Sequence, residues 1–368
     1  MQFCHNPDCT ARGQVGQGNI SVHYRPEQRY RCKTCGVTFA ATKGTPFFRL
    51  HKAKDLFTLV ITLLTHGCPL QAIVAAFGMD ERTVSAWGER AGVHCQKVHE
   101  AVVQQGQVDL GHVQADELWV KMVGKKVWMA MAMAVPSRLW LAGAISPSRD
   151  MPLITRLVEG VRRCALHLGI LVCVDGLASY VTAFKRVLRN PVYTGRVGRP
   201  KLKLTEGLLI GQVIKRYAKR RVSEVTRRVA HGSAEAIAAT LKCVGGGKDI
   251  NTAYIERMNA TFRERLAVLV RRGRAIARKE SVVNAAMYLV GCAYNFCWHH
   301  DSLRLAAPAG AAHKWQERTP AMAADLTDHC WSMSELLHYK VPLPPWVPPK
   351  RHRRSRKQAP EPTAGAER

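Results

Sequence analysis

The chain has 368 residues, enough for two or three domains with their own cores, and its 47% hydrophobic content is ordinary for a globular protein. Its charge is not ordinary, because 55 lysine and arginine residues against 27 acidic residues leave a net charge of +28. This excess predicts a polyanionic partner, with nucleic acid favoured over an anionic membrane surface.

Membrane insertion and export are disfavoured by the sequence. The uncharged run at 281–298 contains Asn, Gly and Tyr residues, so we interpret it as a buried core helix rather than a membrane span. The N-terminus shows no signal-peptide pattern, and twelve cysteines without an export signal suggest thiols and metal ligands rather than disulfides. We therefore expect a protein of a reducing cytoplasm.

Two pairs of cysteines near the N-terminus predict a structural zinc site. The first pair encloses four residues, the second encloses two and is followed by Gly36, and 22 residues separate the pairs. Four thiolates suit tetrahedral zinc, and so short a segment lacks the apolar residues to fold unaided. We predict a zinc ribbon over residues 1–49, with His5 as an alternative ligand. Its single Zn²⁺ is expected to be held by Cys4, Cys9, Cys32 and Cys35.

Residues 50–100 are predicted to form a helix-turn-helix domain. A leucine-rich helix comes first, a second starts at Pro69 and ends at Gly78, and Asp80 caps a third. Helices joined by a glycine-containing turn are typical of DNA-binding proteins that place the last helix in the major groove. A small helical bundle without DNA contacts is the alternative. The candidate DNA-contacting residues of the last helix are Arg82, Ser85 and Arg90.

Three carboxylates stand out in residues 108–340, where strand-like and helix-like segments alternate as in an α/β domain. Asp116 lies in the predicted strand "HVQADELWVKM". Asp175 closes the apolar run "ILVCV", at the kind of strand end where ligand-binding groups gather. Glu256 borders the apolar stripe of a later predicted helix. Taken singly, such an Asp is usually a helix cap and such a Glu a surface ion-pair partner.

The neighbours of these carboxylates offer two alternatives. Glu117 follows Asp116 in the strand, so the two side chains should point to opposite faces and not act as one chelating pair. We therefore assign Glu117 a supporting role beside the site, with direct metal contact as the alternative. Glu264 is the main alternative to Glu256.

The order of these segments is a strand with Asp, two strands, a helix, a strand ending in Asp, and later a helix with Glu. This is the plan of a ribonuclease H-like core. Three converging carboxylates would hold two Mg²⁺ or Mn²⁺ ions about 4 Å apart, which activate water or a 3′-hydroxyl for attack on a phosphodiester. The predicted fold class is therefore α/β, with a ribonuclease H-like catalytic core following the zinc ribbon and the helix-turn-helix.

The chain resembles a bacterial insertion-sequence transposase of the DDE type over nearly its whole length. The resemblance rests on "CKTCG", "ADELW", "VCVDG" and "YIERMNATFR", combined with the helix-turn-helix. It implies that Arg263, seven positions after the glutamate, contacts DNA near the active site. It also implies a catalytic, metal-binding triad of Asp116, Asp175 and Glu256.

The resemblance extends to the C-terminal part of the chain. The segment around Asn295, His299 and Leu303 is similar to the family's "YN…H…L" element, although "CWHH" departs from the more usual Arg-Pro-His. A metal site is a minor alternative for this segment, because helical spacing scatters its side chains. Its ligands would be Cys292, Cys297, His299 and His300.

Basic segments supply further candidate DNA contacts. Residues 185–228 hold 14 lysine and arginine residues against two glutamates, and we expect an insertion around 190–250. Within it, Arg199 is part of a Gly-Arg-Pro turn and Lys201 follows it, in a loop that either enters an A·T-rich minor groove or touches phosphates. The runs "IKRYAKRR" and "VRRGRAIARK" are interpreted as helices or loops that grip the DNA backbone. Residues 341–368 are predicted to be a Pro-rich, basic, disordered tail.

The expected function is transposition of DNA. The zinc ribbon and helix-turn-helix would bind terminal inverted repeats, and the core would cleave each end and join it to target DNA. Pairing two ends of double-stranded DNA implies at least a homodimer in the complex. Two alternatives are a non-catalytic DNA-binding regulator with a degenerate core and a ribonuclease H-like nuclease without strand transfer.

Overall fold

Two units make up the computed structural model, each with its own core. The smaller joins residues 1–43 to the segment from Pro342, and the larger spans Gly44–Val341. The structure describes residues 2–193, 195, 198–219, 221–270, 273–308, 310 and 313–348. The basic part of the predicted tail, from residue 349 onward, lies outside the described residues.

The smaller unit contains one antiparallel sheet of three short strands. They are β1 (Ile20–Tyr24), β2 (Arg29–Cys32) and β3 (Thr38–Ala40), with β2 in the middle. Cys4, Cys9 and Cys32 are buried next to Ala11, so thiols occupy the place of large apolar side chains in this core. A core with so little apolar surface needs a cross-link or a metal to be stable.

Three helices open the larger unit: α1 (Lys54–Thr65), α2 (Leu70–Phe77) and α3 (Glu81–Val102). As predicted, Gly78 ends α2 in the left-handed conformation, and Asp80 caps α3 by accepting the amides of Arg82 and Thr83. α3 runs ten residues past Gly92, and this C-terminal half is largely buried against the later helix α8 (Glu280–Cys292). The three helices therefore share one core with the rest of the larger unit.

A six-stranded mixed sheet forms the centre of the larger unit. Its strands are β4 (His112–Met122), β5 (Lys125–Ala134), β6 (Trp140–Ser146), β7 (Leu171–Asp175), β10 (Leu209–Ala218) and β11 (Arg221–His231). Their order is β11-β10-β7-β4-β5-β6, with β4, β7 and β10 parallel and the other three antiparallel to their neighbours. The β4–β7 register pairs Ala115 with Val174, which brings Asp116 and Asp175 next to each other.

Helices cover both faces of this sheet. α4 (Met151–Cys164) packs on β5 and β6 and against α5 (Ala178–Val187), while α7 (Ala253–Arg265) packs on β4 and β5. The remaining elements are β8 (Arg189–Val192), β9 (Lys201–Leu204), α6 (Ala234–Cys243), β12 (Leu305–Ala306), β13 (Trp315–Gln316), α9 (Pro320–Ala323) and α10 (Met333–His338). Short 3₁₀ turns occupy Ala267–Leu269 and Asp301–Leu303, and a π-helical turn occupies Ala293–Cys297.

Two predictions about secondary structure have clear outcomes. The run at 281–298 is a buried helix, α8, continued by the π-helical turn, and no helix in the described part of the chain is long and apolar enough to span a membrane. The interpretation of "IKRYAKRR" as a helix or loop is wrong, because its described residues belong to the end of strand β10, the turn that follows and the first position of β11.

Candidate metal centres

The four N-terminal cysteines converge. Their Sγ atoms all lie within 4.8 Å of one another, with 3.7 Å between Cys4 and Cys35 and 3.8 Å between Cys9 and Cys32. Backbone amides point at the sulfurs, because Asn6 donates to Cys4 and Ala11 donates to Cys9. Gly36 adopts a positive φ of 72° directly after Cys35, as the predicted turn requires.

The environment of these thiols favours metal ligation. Burial raises the pKa of Cys4, whereas at Cys35 the effect of burial is outweighed by hydrogen bonds from Val37 and Asn6, and the pKa is lowered to about 7. Four sulfur donors at this spacing fit a tetrahedral Zn²⁺. His5, the alternative ligand, packs against the rings of Phe3 and Phe39 and is not part of the cluster.

A second group of possible metal ligands lies where β4 and β7 run side by side. One oxygen each of Asp116, Glu117 and Asp175 lies within 4.8 Å of the other two. Asp116 faces α7 and Glu117 faces α5, as strand alternation predicts, yet both carboxylates reach the same point. The expectation that they could not share an ion is therefore not met. Carboxylate oxygens are the donors that hard divalent cations prefer.

Asp116 is held from two sides. Its Oδ1 accepts the Glu117 amide at 2.8 Å, and its Oδ2 accepts the Asn259 side-chain amide at 2.8 Å. Burial raises its pKa to about 7, and the negative charges of Glu117, Asp175 and Glu256 act in the same direction. A bound cation would offset this accumulated negative charge.

Glu117 has a fully buried side chain with two partners. Its carboxylate accepts hydrogen bonds from the Arg149 guanidinium and, at 2.7 Å, from the Tyr180 hydroxyl. Burial and the neighbouring Asp175 raise its pKa, against the effect of these two donors. Both a supporting role and direct metal contact are compatible with this position.

Arg149 connects Glu117 to Asp175. Its guanidinium donates to Asp175 at 3.0 Å and lies 5.4 Å from the centre of the Trp128 ring. Asp175 also accepts the Leu177 amide at 3.0 Å, so it holds the turn that leads into α5 as well as facing the site. One cation thus pairs with two of the three clustered carboxylates.

Glu256 lies outside this cluster. Its carboxylate accepts hydrogen bonds from Lys215 on β10 at 2.6 Å and from Thr252 at 2.9 Å, and its side chain is 48% exposed. It still contributes to the negative potential at Asp116. The alternative, Glu264, has a side chain that is 67% exposed and forms an ion pair with the neighbouring Arg265 at 3.8 Å.

Gln114 fixes the start of α7 relative to β4. Its side-chain oxygen accepts the amides of Tyr254 and Ile255 at 3.1 and 3.0 Å, and its NH₂ group donates to Asn251. Gln114 and Asp116 lie on the same face of β4. Gln114, which orients α7, is therefore two positions before the Asp116 carboxylate that α7 contacts through Asn259.

The predicted DNA contacts occupy different environments. Arg82 and Ser85 are exposed on the first turns of α3, whereas Arg90 is partly buried and donates to the Phe48 carbonyl. Arg199 and Lys201 are exposed around the start of β9, although residues 194, 196 and 197 of that loop are not described. Arg263 is partly buried near the end of α7.

The C-terminal element has a structural role in this protein. Asn295 is fully buried and hydrogen-bonds both the amide and the carbonyl of Trp140 on β6, at 2.9 Å each. Cys292 donates to the Cys95 carbonyl inside the core, while His299 pairs with Glu317 at 2.5 Å. The Cys292, Cys297, His299 and His300 side chains are not among the clusters of possible metal ligands in the described chain.

Three residues of the carboxylate site were missed in the sequence. Arg149 and Tyr180 come from a loop and a helix whose local sequence gives no sign of the site. Lys215 had a usable signal, because it directly follows the apolar run "LLIGQVI", whose composition is compatible with a buried strand. No protein-family model matches this chain, and no curated protein is significantly similar to it.

Proposed function

We propose that the protein is a DNA transposase of the DDE type with a ribonuclease H-like catalytic core. One observation carries the proposal: Asp116 and Asp175, which are 59 positions apart in the sequence, lie side by side on β4 and β7. The helix that carries Glu256 packs on β4 and β5, and Glu256 contributes to the negative potential at Asp116.

The arrangement of the sheet supports a ribonuclease H-like core. Three consecutive antiparallel strands, β4 to β6, are followed by a helix and by two strands parallel to β4. The first and fourth strands of this series carry the two aspartates at the point where they lie side by side. A helix after the last strand then brings the glutamate.

The residues around the site suit hydrolysis or transfer of a phosphodiester. A divalent cation bound there would supply an activated water or hydroxyl and stabilise the leaving oxygen. Asn259 orients the Asp116 carboxylate, and Arg149 fixes Asp175 and Glu117. Lys215 beside Glu256 places a positive charge where a DNA phosphate would approach.

The N-terminal region supports binding of the element's ends. Three short-linked helices expose Arg82 and Ser85 on the first turns of α3, where a major groove could be contacted. The cysteine cluster would hold one structural Zn²⁺ in the smaller unit. Two copies bound to two ends would form the active complex.

The test is cleavage of DNA that flanks the gene, in Mg²⁺ or Mn²⁺, by the native protein, Asp116→Ala and Glu159→Ala. Glu159 is an exposed acidic residue on α4 and serves as the matched control. We expect nicks at the borders of an inverted repeat with the native protein and the control, and none with Asp116→Ala, while all three bind the DNA equally.

A DNA-binding regulator is the second candidate. Asp175 and Glu256 each pair with a cation, Arg149 and Lys215, as carboxylates of purely structural ion pairs do. Sequence-specific binding without cleavage by any of the three proteins, in either metal, would favour the regulator. Cleavage that persists in Asp116→Ala would show that Asp116 is not required for catalysis.

A further inference from the structure

The β10–β11 hairpin continues beyond the six-stranded sheet. β10 pairs with β7 only as far as Val213, which lies opposite Asp175, whereas its pairing with β11 extends to Ala218 opposite Arg221. Residues 214–226, here called the ribbon, thus form two strands without a third neighbour in the described part of the chain.

The ribbon is exposed on both faces. Tyr217, Val222 and Val225 are 66%, 50% and 43% exposed. A two-stranded hairpin alone is at best marginally stable in water, and an unpaired strand edge is a ready binding surface. The exposed length of the ribbon therefore indicates that a partner covers it.

Charge identifies the class of partner. The described ribbon residues include Lys215, Arg216, Lys219 and Arg221, against Glu224 as their single acidic residue. Arg216 pairs with Glu224 at 3.2 Å, whereas Lys219 and Arg221 at the tip have no ion-pair partner among the described residues. A second copy of the ribbon would bring like charges together, which opposes strand pairing, while DNA phosphates would neutralise them.

The base of the ribbon lies at the carboxylates. Val213 is the last β10 residue paired with β7. Two positions later, the Lys215 ammonium group forms an ion pair with the Glu256 carboxylate at 2.6 Å. Each ribbon strand adds about five residues, or roughly 15 Å at 3.3 Å per residue. The major groove of DNA, about 12 Å wide, admits a two-stranded ribbon.

We propose that the ribbon enters the major groove of duplex DNA beside the carboxylate site and grips it independently of sequence. The position of the reacting phosphodiester rests on the proposed function, whereas the DNA contact itself does not. Cations on exposed strands also protect against aggregation, and the experiment below separates that role from DNA binding.

The first test compares Lys219→Gln/Arg221→Gln with Lys97→Gln/Lys126→Gln, which removes two exposed charges from α3 and from β5. Affinity for a 20-base-pair duplex of arbitrary sequence is measured between 50 and 200 mM salt, without divalent metal. Losing two phosphate contacts should make the negative slope of log K against log salt shallower by about 1.8, and the control should keep the native slope. Equal slopes in the two variants would overturn the proposal.

A shortened ribbon supplies the second test. Lys215 and Val225 are opposite each other in the register, so an Asn-Gly turn can replace Arg216–Glu224 and retain the Lys215–Glu256 pair. We expect weaker DNA binding and an unchanged number of chains per particle in solution. Unchanged DNA binding together with fewer chains per particle would show that the ribbon pairs two copies, and would overturn the proposal.

The groove is tested with a duplex whose cytosines carry glucosylated hydroxymethyl groups, which fill the major groove. On this DNA the native and shortened proteins should bind alike, and a persisting difference would place the ribbon outside the groove. None of these readouts involves cleavage, so their failure is distinct from failure of the Asp116→Ala experiment.

Discussion

A buried tyrosine supports the most enclosed carboxylate of the site. Tyr180 is fully buried and its hydroxyl donates to Glu117 at 2.7 Å. In Tyr180→Phe the buried carboxylate loses one of its two donors, and a hydrogen bond to a charged group contributes about 1.5–3 kcal/mol. We expect urea unfolding of the metal-free protein to give a free energy lower by about that amount. Tyr193→Phe, at a tyrosine that is 79% exposed, should leave it unchanged; equal values for the two variants would contradict the role of Tyr180.

A buried histidine predicts sensitivity to acid. His112 is fully buried, neither ring nitrogen has a hydrogen-bond partner among the described residues, and burial followed by the charge of Arg138 lowers its pKa to about 4. Its folded pKa is thus below the unfolded value near 6.5, so the unfolded chain binds more protons between these values. Stability is therefore complete above about pH 6.5 and decreases as the pH falls toward 4.

The variant His112→Leu removes this titration. His112 lowers the free energy of unfolding of the native protein by on the order of 2 kcal/mol when the pH falls from 7 to 5. In His112→Leu this part of the decrease should be absent. Urea titrations at the two pH values measure it. His51→Leu, at an exposed histidine, should behave like the native protein; an equal loss in His112→Leu would show that other groups cause the acid sensitivity.

Sequence patterns located the aspartates of the site but not their partners. Asp116 and Asp175 are recognisable because each interrupts or ends an apolar strand. Arg149 reaches Asp175 from 26 positions away through a long side chain, and no local pattern encodes such a contact. Gln114 was recognisable in principle, since a second polar residue on the same face of a buried strand needs a partner.

The packing of α3 against α8 depends on a glycine. A Cβ added at Gly92 would lie 2.1 Å from the backbone oxygen of Ala285, so Gly92→Ala must push the two helices apart. We expect a loss of about 3 kcal/mol in unfolding free energy, at the upper end of overpacking costs. Urea unfolding measures the effect.

Gly88, one turn earlier in the same helix, is the matched control. A Cβ there would meet only the flexible end of the Leu64 side chain, at 3.3 Å. Gly88→Ala should be neutral or stabilising by up to about 1 kcal/mol, because alanine favours helix. Similar losses in both variants would mean that helix separation is not the cause.

The elements differ in how well their sequences predict them. β4, β5, β6 and β7 contain apolar residues that mark buried strands, and they were expected. β11 was not, because Val222, Val225 and Val229 recur at helix-like intervals of three and four. The register also shifts between Arg216 and Tyr217, where Ser223 is an extra residue on β11 and breaks its strand alternation. A ribbon without a buried face has no apolar pattern to reveal it.

At the scale of the whole molecule, the two units should respond independently to loss of a thiol. Cys32→Ser removes a fully buried member of the cysteine cluster. We expect zinc to fall from one ion per chain to nearly none and residues 2–43 to become sensitive to protease. The urea midpoint of the larger unit, which has its own core, should not change.

Cys243→Ser, at an exposed cysteine of the larger unit, is the control for the zinc measurement and should retain one ion per chain. Metal content is measured by mass spectrometry of the purified protein. Full zinc content in Cys32→Ser would exclude this cysteine as a ligand.

Gln114 is an uncharged joint between β4 and α7. Its amide contacts Tyr254, Ile255 and Asn251 without carrying charge, while the carboxylates it helps to position titrate and bind cations. Salt or a chelator can therefore change the chemistry of the site and leave the frame that aligns strand and helix intact. Inactivation by such agents should be reversible on returning to the original buffer, because nothing in this joint has to be rebuilt.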